Sequence, residues 1–299
     1  MVKVFVTGAS STPGYKIVLE FAESGYQVYA QFFTHEIPNI EDVTKIRLDL
    51  RNYAKIVEIL NEIKPDIIIH TSAISDVDLC EVDKYLAWSV NVEASHVIAK
   101  KAKDFNAKLV YLSTDYVFDG ERGLYRENDV PAPINYYGLT KLIAENIFSS
   151  ATNNHIILRT SQIYGFGMGR VNFARFVIDA LSKGHRIKAL TDQWLSPTLN
   201  TLLAKAIKGL VEGNHVGLFH VAGERMSRYE FARIIAEKFG FDESLIEPIT
   251  MDEISFRAKR PRDSSLDSSK AKNVLVVDFY TLENSLNLLH REWMRIKHE

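Results

Sequence analysis

The amino-acid sequence predicts an α/β fold, in which a doubly wound parallel sheet is joined to a smaller C-terminal α/β lobe. Up to Tyr164, apolar β-rich runs alternate with amphipathic stretches, a pattern that indicates βαβ units. The runs are continuously apolar, as in Ile67-Ile68-Ile69, which is typical of strands covered by helices on both faces. After Tyr164 the alternation breaks down, so the rest of the chain is expected to build the second lobe.

The individual elements follow from apolar periodicity. Strands are predicted at residues 2–6, 27–32, 66–70, 109–112 and 155–158, with a short additional strand before Asp49. Helices are predicted at residues 14–24, 52–63, 84–103, 136–149, 172–182, 199–211 and 228–239. Loops of the second lobe are predicted at residues 165–170 (GFGMGR), 192–198 (DQWLSPT) and 256–263 (FRAKRPRD). We therefore expect a first domain over residues 1–165 and a second region over 166–299, from which segments can return to the first domain.

Composition narrows the class of protein. A formal charge of −2 over 299 residues argues against a large nucleic-acid surface, which needs many clustered Lys and Arg side chains. The first residues already resemble a strand, and there is no uninterrupted apolar run of membrane-spanning length, so we expect a cytoplasmic protein without a membrane segment. The single cysteine, Cys80, excludes an internal disulfide, and the histidines show no metal-ligand spacing, so no metal site is expected.

Residues 4–14, VFVTGASSTPG, predict a strand followed by a loop that is bounded by Gly8 and Gly14. Pro13 falls in the expected first turn of the next helix, where its fixed φ is tolerated. The free N–H groups of such a helix start can bind a pyrophosphate; a tight turn without a ligand is the alternative. Ser11 stands where these loops usually carry a third glycine, so its side chain limits backbone approach but adds a hydroxyl that can donate to phosphate.

The end of the second predicted strand concerns the choice of cofactor. Residues 31–35 read QFFTH and lack the acidic residue that accepts from the ribose 2′-hydroxyl of NAD. No nearby Arg or Lys clearly binds a 2′-phosphate, but the missing acid removes repulsion toward it. NADPH is therefore the expected cofactor, with NADH as the alternative. Further along, Asp49 would either touch the adenine or cap the following helix.

The segment 134–141, INYYGLTK, carries the strongest chemical signal, because Tyr137 and Lys141 lie four residues apart on one helix face. Reduction of a carbonyl by a nicotinamide hydride needs a proton donor, and a tyrosine of ordinary pKa, about 10, is poorly matched to neutral pH. A nearby ammonium lowers that pKa. Upstream, a buried strand ends at Thr114, whose hydroxyl would orient the carbonyl at the sheet edge where ligands bind. Each pattern alone also fits a surface pair or a strand-end turn, but together they predict a Thr114, Tyr137 and Lys141 catalytic set.

With these residues in this order, the sequence resembles the extended short-chain dehydrogenase/reductases, and among them the dTDP-4-dehydrorhamnose reductase family. The resemblance extends over nearly the whole chain. It rests on TGASSTPG (7–14), LDL (48–50), KPDIIIHTSAISDVDLCE (64–81), Asn91 in WSVNVEAS, STDYVFDG (113–120), NYYGLTKLIAE (135–145), LRTSQIYG (158–165), DQWLSPT (192–198), RP (260–261) and SSLD (264–267). It implies an NAD(P)-binding Rossmann domain, a C-terminal lobe that binds a nucleotide sugar, and a homodimer.

The resemblance also implies roles for single residues. Tyr137 would be the proton donor, Lys141 its pKa tuner and a ribose ligand, and Thr114 the hydroxyl beside the substrate carbonyl. The residues expected to line the cofactor are Gly8, Ser11, Thr12, Pro13, Gly14, Asp49, Leu50, Ala73, Ile74, Ser75, Tyr137 and Lys141. The residues expected to contact the substrate are Thr114, Asp115, Gln162 and Arg260, although a solvated basic loop is an alternative for the last of these.

The reaction implied is hydride transfer from NAD(P)H to the C4 ketone of dTDP-4-dehydro-L-rhamnose, which gives dTDP-L-rhamnose. The sequence departs from the family pattern at Ser11, at Gln162, which replaces a substrate-contacting Trp, and at Leu79, which replaces a Lys. The alternatives are an NADP-binding regulatory subunit of the methionine adenosyltransferase type, or another nucleotide-sugar reductase, epimerase or dehydratase.

Overall fold

A parallel β-sheet forms the centre of the protein in the computed structural model, which describes residues 1–298. The strands are, in chain order, β1 (Lys3–Thr7), β2 (Gln27–Phe32), β3 (Val43–Arg47), β4 (Ile67–His70), β5 (Lys108–Thr114), β6 (His155–Tyr164), β7 (Ile187–Leu190), β8 (Trp194–Leu195), β9 (Pro197–Leu199), β10 (Gly217–His220), β11 (Met226–Ser227) and β12 (Ile246–Ile249). The helices are α1 (Thr12–Glu23), α2 (Tyr53–Ile63), α3 (Val77–Val82), α4 (Lys84–Trp88), α5 (Ala94–Phe105), α6 (Tyr136–Ala151), α7 (Phe173–Leu181), α8 (Asn200–Glu212), α9 (Arg228–Phe239), α10 (Ser269–Lys272) and α11 (Leu282–His298).

The order of strands in the sheet is β3-β2-β1-β4-β5-β6-β10, and every neighbouring pair is parallel. The short β9 extends the sheet beside the second half of β6. The strand order reverses between β1 and β4, which is the switch point where ligands bind above the carboxyl ends of the strands. The predicted doubly wound Rossmann-like fold is confirmed.

Helices cover both faces of this sheet. On one face, Ile17 and Phe21 of α1 pack with residues of α7, α8 and α9 in one large buried cluster. On the other face, Ile56, Ile98 and Phe148, from α2, α5 and α6, pack against the same strands. Burial from both sides explains why the strands read as continuous apolar runs.

The predicted helix over residues 84–103 is interrupted in the structure. A π-helical turn, Ser89–Glu93, separates α4 from α5. Such turns insert one extra residue and occur often at functional sites. Here the turn carries Asn91, a buried amide that bonds outside its own helix, so local periodicity gave no sign of the interruption.

The chain beyond residue 165 contributes both to the second lobe and to the main sheet with its covering helices. The lobe above the sheet contains two small strand pairs, β7 with β12 and β8 with β11, which pack with α7 and α9. In contrast, α8 packs on α1 and β10 joins the edge of the main sheet. The terminal α11, which the sequence analysis did not predict, buries Leu286 and Leu289 and is tied to α1 by an ion pair between Lys16 and Glu292 at 3.0 Å. Among residues 1–298, no helix is long and apolar enough to cross a membrane.

Candidate active site

The loop between β1 and α1 has a backbone that only glycine permits at its two ends. Gly8 has φ +69°, and a Cβ there would lie 2.9 Å from the hydroxyl oxygens of Thr71 and Ser72. A Cβ on Gly14 would lie 2.0 Å from the carbonyl oxygen of Gly8. Both glycines therefore allow the close strand-to-helix turn that a dinucleotide loop requires.

Ser11 fits this loop without strain, because its φ is −84° and no glycine is needed there. Its hydroxyl caps α1 by accepting a hydrogen bond from the N–H of Gly14 at 3.1 Å. The hydroxyl proton remains free to donate to a ligand. The serine is thus a helix cap that retains a donor, and Thr12 and Pro13 follow it as the first two residues of α1.

Gln31 supports the same loop and was missed by the sequence analysis. Its side chain is buried, accepts from the N–H of Gly8 at 2.8 Å, and donates to the carbonyl of Leu48 at 2.6 Å. It thereby joins the loop to β2 and to the end of β3. A polar residue at the end of a buried strand was the signal that would have identified it.

At the position expected for the adenine, Asp49 forms an ion pair with Arg51, with an Nη2 to Oδ2 distance of 2.6 Å. Hydrogen bonding from Arg51 lowers the pKa of this carboxyl. The expectation that Asp49 caps α2 is wrong, because Asn52 holds that position and accepts from the N–H of Lys55 at 3.0 Å. The neighbouring Leu50 is buried in the core.

The segment after β4 that was expected to line the cofactor, Ala73 to Ser75, is held by Asn91. The Asn91 side chain accepts from the N–H of Ile74 at 2.8 Å and donates to its carbonyl at 3.2 Å. It also donates to the hydroxyl of Thr140 at 3.0 Å. One buried amide therefore connects the cofactor segment to the helix that carries Tyr137.

A basic side chain does reach the end of β2, although the sequence analysis found none there. Arg47 pairs in register with Phe32, and its Nε donates to the carbonyl of Phe33 at 3.4 Å. The side chain comes from β3, so a search along β2 and its loop could not find it. Among the residues that the structure describes, Arg47 forms no ion pair, whereas Lys45 pairs with Glu36.

Thr114 and Tyr137 meet where β5 ends and α6 begins. Thr114 is 7% exposed, and its hydroxyl lies near enough to the Tyr137 phenol to affect the pKa of that phenol. The ring of Tyr116 lies edge-on to that of Tyr137, with centroids 6.1 Å apart. Burial raises the pKa of Tyr137, and the nearby hydroxyl of Thr114 opposes that shift. The phenol is therefore protonated at neutral pH, as a proton donor must be.

Lys141 lies on the same face of α6, one turn beyond Tyr137. Its ammonium is 2% exposed, donates to the carbonyl of Leu112 at 2.6 Å, and lies 4.2 Å from the ring centroid of Tyr111. Burial lowers its pKa to about 7, and the charge of Glu145 opposes this shift. The two predicted partners share one helix face, but the expected lowering of the tyrosine pKa is not seen in the protein alone.

Asp115, expected to contact the substrate, is instead fully engaged within the protein. Its carboxylate accepts from the hydroxyls of Thr114 at 3.0 Å, Ser161 at 2.8 Å and Ser264. Burial raises its pKa, and these hydroxyls oppose the shift. Asp115 thus fixes the orientation of Thr114 and connects β5 and β6 to the C-terminal segment.

The other two expected substrate contacts lie toward the C-terminal lobe. Gln162 has φ +39° and occupies a bulge where β6 changes from one partner strand to the next. Arg260 is half-buried and pairs with Asp78 at 2.9 Å.

The lobe also has a cavity of about 280 Å³ that the sequence analysis did not predict. Phe173, Leu190, Ile249 and Arg228 contribute to its wall. Arg228 also lies near enough to Tyr116, whose ring contacts that of Tyr137, for the two side chains to affect each other's pKa. The cavity therefore lies on the Tyr116 side of Thr114 and Tyr137, with Arg228 between them.

These features fit a dinucleotide, because the glycine cradle, the capped helix start and the two cofactor segments face one crevice at the switch point. Within residues 1–298, no three His, Cys, Asp or Glu side chains cluster in a way that could hold a metal ion.

Known proteins share the sequence pattern and the fold of this chain. The family model described as "RmlD substrate binding domain" matches residues 2–293. A probable low-salt glycan biosynthesis reductase of Haloferax volcanii is 34% identical over 95% of this chain and 96% of its own length. Methionine adenosyltransferase 2 subunit beta of Pongo abelii is 32% identical over 91% of this chain and 82% of its own. The crystal structure of dTDP-4-dehydrorhamnose reductase from Bacillus anthracis in complex with NADP superimposes with a TM-score of 0.86 at 30% identity, covering 98% of this chain and all of that one.

The matched family, the relatives and the strand order agree with one another. The chain belongs to the dTDP-4-dehydrorhamnose reductase family of extended short-chain dehydrogenase/reductases and is an NAD(P)-dependent oxidoreductase.

Proposed function

We propose that this protein uses NADPH to reduce the C4 ketone of dTDP-4-dehydro-L-rhamnose to dTDP-L-rhamnose. The observation that carries the proposal is that the buried Thr114 hydroxyl and the buried Tyr137 phenol lie together at the carboxyl edge of the sheet, beside the dinucleotide loop. A protein that only binds the cofactor has no chemical need for a protonated phenol in this position.

In this proposal, each catalytic side chain has one task. Bound NAD(P)H supplies the hydride. Tyr137 donates its phenolic proton to the ketone oxygen, and Thr114 hydrogen-bonds the same oxygen to orient it. The ammonium of Lys141 stabilises the phenolate that remains, because positive charge favours the ionised form. In the free protein Thr114 donates its single hydroxyl proton to Asp115 at 3.0 Å, so this proton turns from the carboxylate to the ketone oxygen when the substrate binds.

The nucleotide part of the substrate is assigned to the C-terminal lobe. Arg228 lies between Tyr116 and the cavity, so it can hold the diphosphate of a substrate whose sugar is at Tyr137. Phe173 and Ile249 give the cavity an apolar wall suited to a base. Arg260 adds a second cation on the same side, because its charge acts on both Arg228 and Tyr116.

The preference for NADPH is supported by Arg47. Its guanidinium lies at the end of β2, where the ribose 2′ position is expected, and an arginine there binds a 2′-phosphate. The carboxylate that would favour NAD is absent from residues 31–35.

The decisive experiment supplies purified protein with dTDP-4-dehydro-6-deoxyhexoses, including the L-lyxo form, together with NADPH or NADH. Loss of nicotinamide absorbance and formation of dTDP-L-rhamnose would support the proposal. Turnover of another dTDP-sugar, or of a UDP-sugar, would keep the reductase and change its substrate. Tight NADPH binding without turnover of any sugar would overturn the reductase and favour a regulatory protein such as the methionine adenosyltransferase subunit.

A further inference from the structure

We propose that Arg170 is a cofactor ligand, which binds the pyrophosphate and replaces a backbone donor that Pro13 removes from the helix start. The proposal concerns dinucleotide binding alone and holds whichever sugar the enzyme reduces. Two observations support it. The first turn of α1 has few free N–H donors, and the segment Gly165 to Arg170, the strap, lies against this helix start.

The first turn of α1 offers few N–H groups for an anion. The N–H of Ser11 bonds to the carbonyl of Gly8 at 2.9 Å, and that of Gly14 bonds to the hydroxyl of Ser11 at 3.1 Å. Pro13 has no N–H. Among Ser11 to Gly14 as the structure describes them, the N–H of Thr12 is the one without a hydrogen-bond acceptor, and Gly169 of the strap lies close to it. This helix start is therefore a weaker anion site than one with several open amides.

The strap lies directly against this helix start. A Cβ on Gly169 would be 2.5 Å from the nitrogen of Thr12, and one on Gly167 would be 3.1 Å from the ring of Tyr15. Both glycines have positive φ, +95° and +125°. Glycine is therefore needed for the backbone conformation as well as for the close packing. The side chain of Asn200 fastens the base of the strap, because it donates to the carbonyls of Thr12 and Phe166.

Arg170 extends from the strap across the crevice between the β1 and β4 ends. Its Nη1 donates to Oδ2 of Asp76 at 3.0 Å, and Asp76 directly follows the cofactor segment at Ser75. The guanidinium therefore spans the gap in which the pyrophosphate of a bound dinucleotide lies. The pair with Asp76 is exposed, 73% for the arginine side chain, and exposed ion pairs are weak.

Arg170 gains by moving from the Asp76 carboxylate to a pyrophosphate. A guanidinium binds phosphate oxygens with two parallel hydrogen bonds, and a pyrophosphate carries more charge than a single carboxylate. Asp76 loses little when the arginine leaves, since its other oxygen caps α3 by accepting from Leu79 at 3.0 Å. Arg170 thus rests on Asp76 in the free protein and turns to the pyrophosphate in the complex.

The test measures cofactor affinity by titration with protein fluorescence or calorimetry, without sugar substrate. Arg170→Ala should raise Kd for NADPH and for NADH alike, by about tenfold or more, as expected for loss of a charge-assisted bond. Adenosine 2′-monophosphate, which lacks a pyrophosphate, should bind equally to both proteins. Arg170→Lys should restore part of the affinity, since it keeps the charge and loses the bidentate geometry.

Asp76→Asn is the matched control, because asparagine still caps α3 but releases Arg170. If Arg170 binds the pyrophosphate, Asp76→Asn leaves Kd unchanged or lowers it. If the ion pair only fixes the strap, both variants weaken binding equally, and the proposal is overturned. Unchanged Kd in Arg170→Ala overturns it as well.

Pro13→Ala tests the second half of the proposal, because it returns one N–H to the helix start. In the Arg170→Ala background it should tighten NADPH binding several-fold, and in the wild-type background it should do so less. Equal effects in the two backgrounds would show that the arginine does not substitute for the missing amide.

Discussion

Two parts of the sheet's carboxyl edge, a chemical edge at the end of β5 and a cofactor edge at the ends of β2 and β3, are organised in opposite ways. At the end of β5, the proposed catalytic groups are buried and satisfied by the protein: Thr114 donates to Asp115, and Lys141 donates to the carbonyl of Leu112. At the ends of β2 and β3 and beside α1, Arg47 and Arg170 are exposed and held only by weak contacts. The chemical edge is therefore ordered before any ligand arrives, whereas the cofactor edge leaves its cations available to the ligand. Mutations should accordingly affect rate at the first edge and affinity at the second.

The largest effect is expected from Tyr137→Phe, which removes the proposed proton donor and keeps the ring. Since general acid catalysis contributes about 10² to 10⁴ in rate, kcat should fall by that factor while NADPH affinity changes little. Steady-state kinetics and cofactor titration measure the two quantities. Tyr136→Phe, one residue earlier and without a part in the proposed mechanism, is the control and should retain kcat. An unchanged kcat in Tyr137→Phe would remove this residue from the mechanism.

The buried ammonium of Lys141 predicts a pH-dependent stability. Its pKa is lowered to about 7 in the folded protein, and the unfolded chain holds this proton to higher pH. The unfolded state therefore binds more protons above about pH 7, so the free energy of unfolding gains a positive slope there, by at most about 1.4 kcal/mol per pH unit. Below that pH Lys141 is charged in both states, so burial of its charge lowers the stability of the folded protein by the full amount.

Lys141→Met removes this contribution and should also abolish most activity. Its stability relative to the wild type should be greatest near and below about pH 7 and should decrease as pH rises. Urea unfolding of both proteins without cofactor, from about pH 6 to about pH 9, measures the difference. A difference independent of pH would mean that the lysine is charged throughout this range.

The contrast between the edges also explains what the sequence alone predicted. Local patterns can be recognised in a sequence. They predicted the parallel sheet, the helix that carries Tyr137 and Lys141, and the strand that ends at Thr114. Contacts made across strands leave no local pattern: Arg47 reaches the end of β2 from β3, and Arg228 reaches Tyr116 from α9. For the same reason, the role of Asp115 as an anchor for Thr114 depends on partners distant in sequence.

At the cofactor edge, Arg47→Ala should reduce the preference for NADPH. Loss of a phosphate-binding guanidinium is expected to raise the NADPH Kd by about tenfold and leave the NADH Kd nearly unchanged. Lys45→Ala is the matched control, because Lys45 lies two residues earlier on β3 but pairs with Glu36. A parallel loss for both cofactors would place Arg47 away from the 2′-phosphate. Because Arg170→Ala is expected to weaken both cofactors equally, the two arginine variants separate the two phosphate positions.

The smallest effect is expected at Ser11, whose hydroxyl oxygen already caps α1 and has only its proton to offer a ligand. Ser11→Gly should cost a few tenths of a kcal/mol in stability, since glycine is tolerated at this cap position. If the proton donates to the pyrophosphate, the same variant weakens NADPH binding by about three- to tenfold, the value of one ordinary hydrogen bond. Tighter binding would show that the side chain obstructs the ligand. The edge would then owe its phosphate affinity to Thr12 and Arg170, and the serine would serve the helix alone.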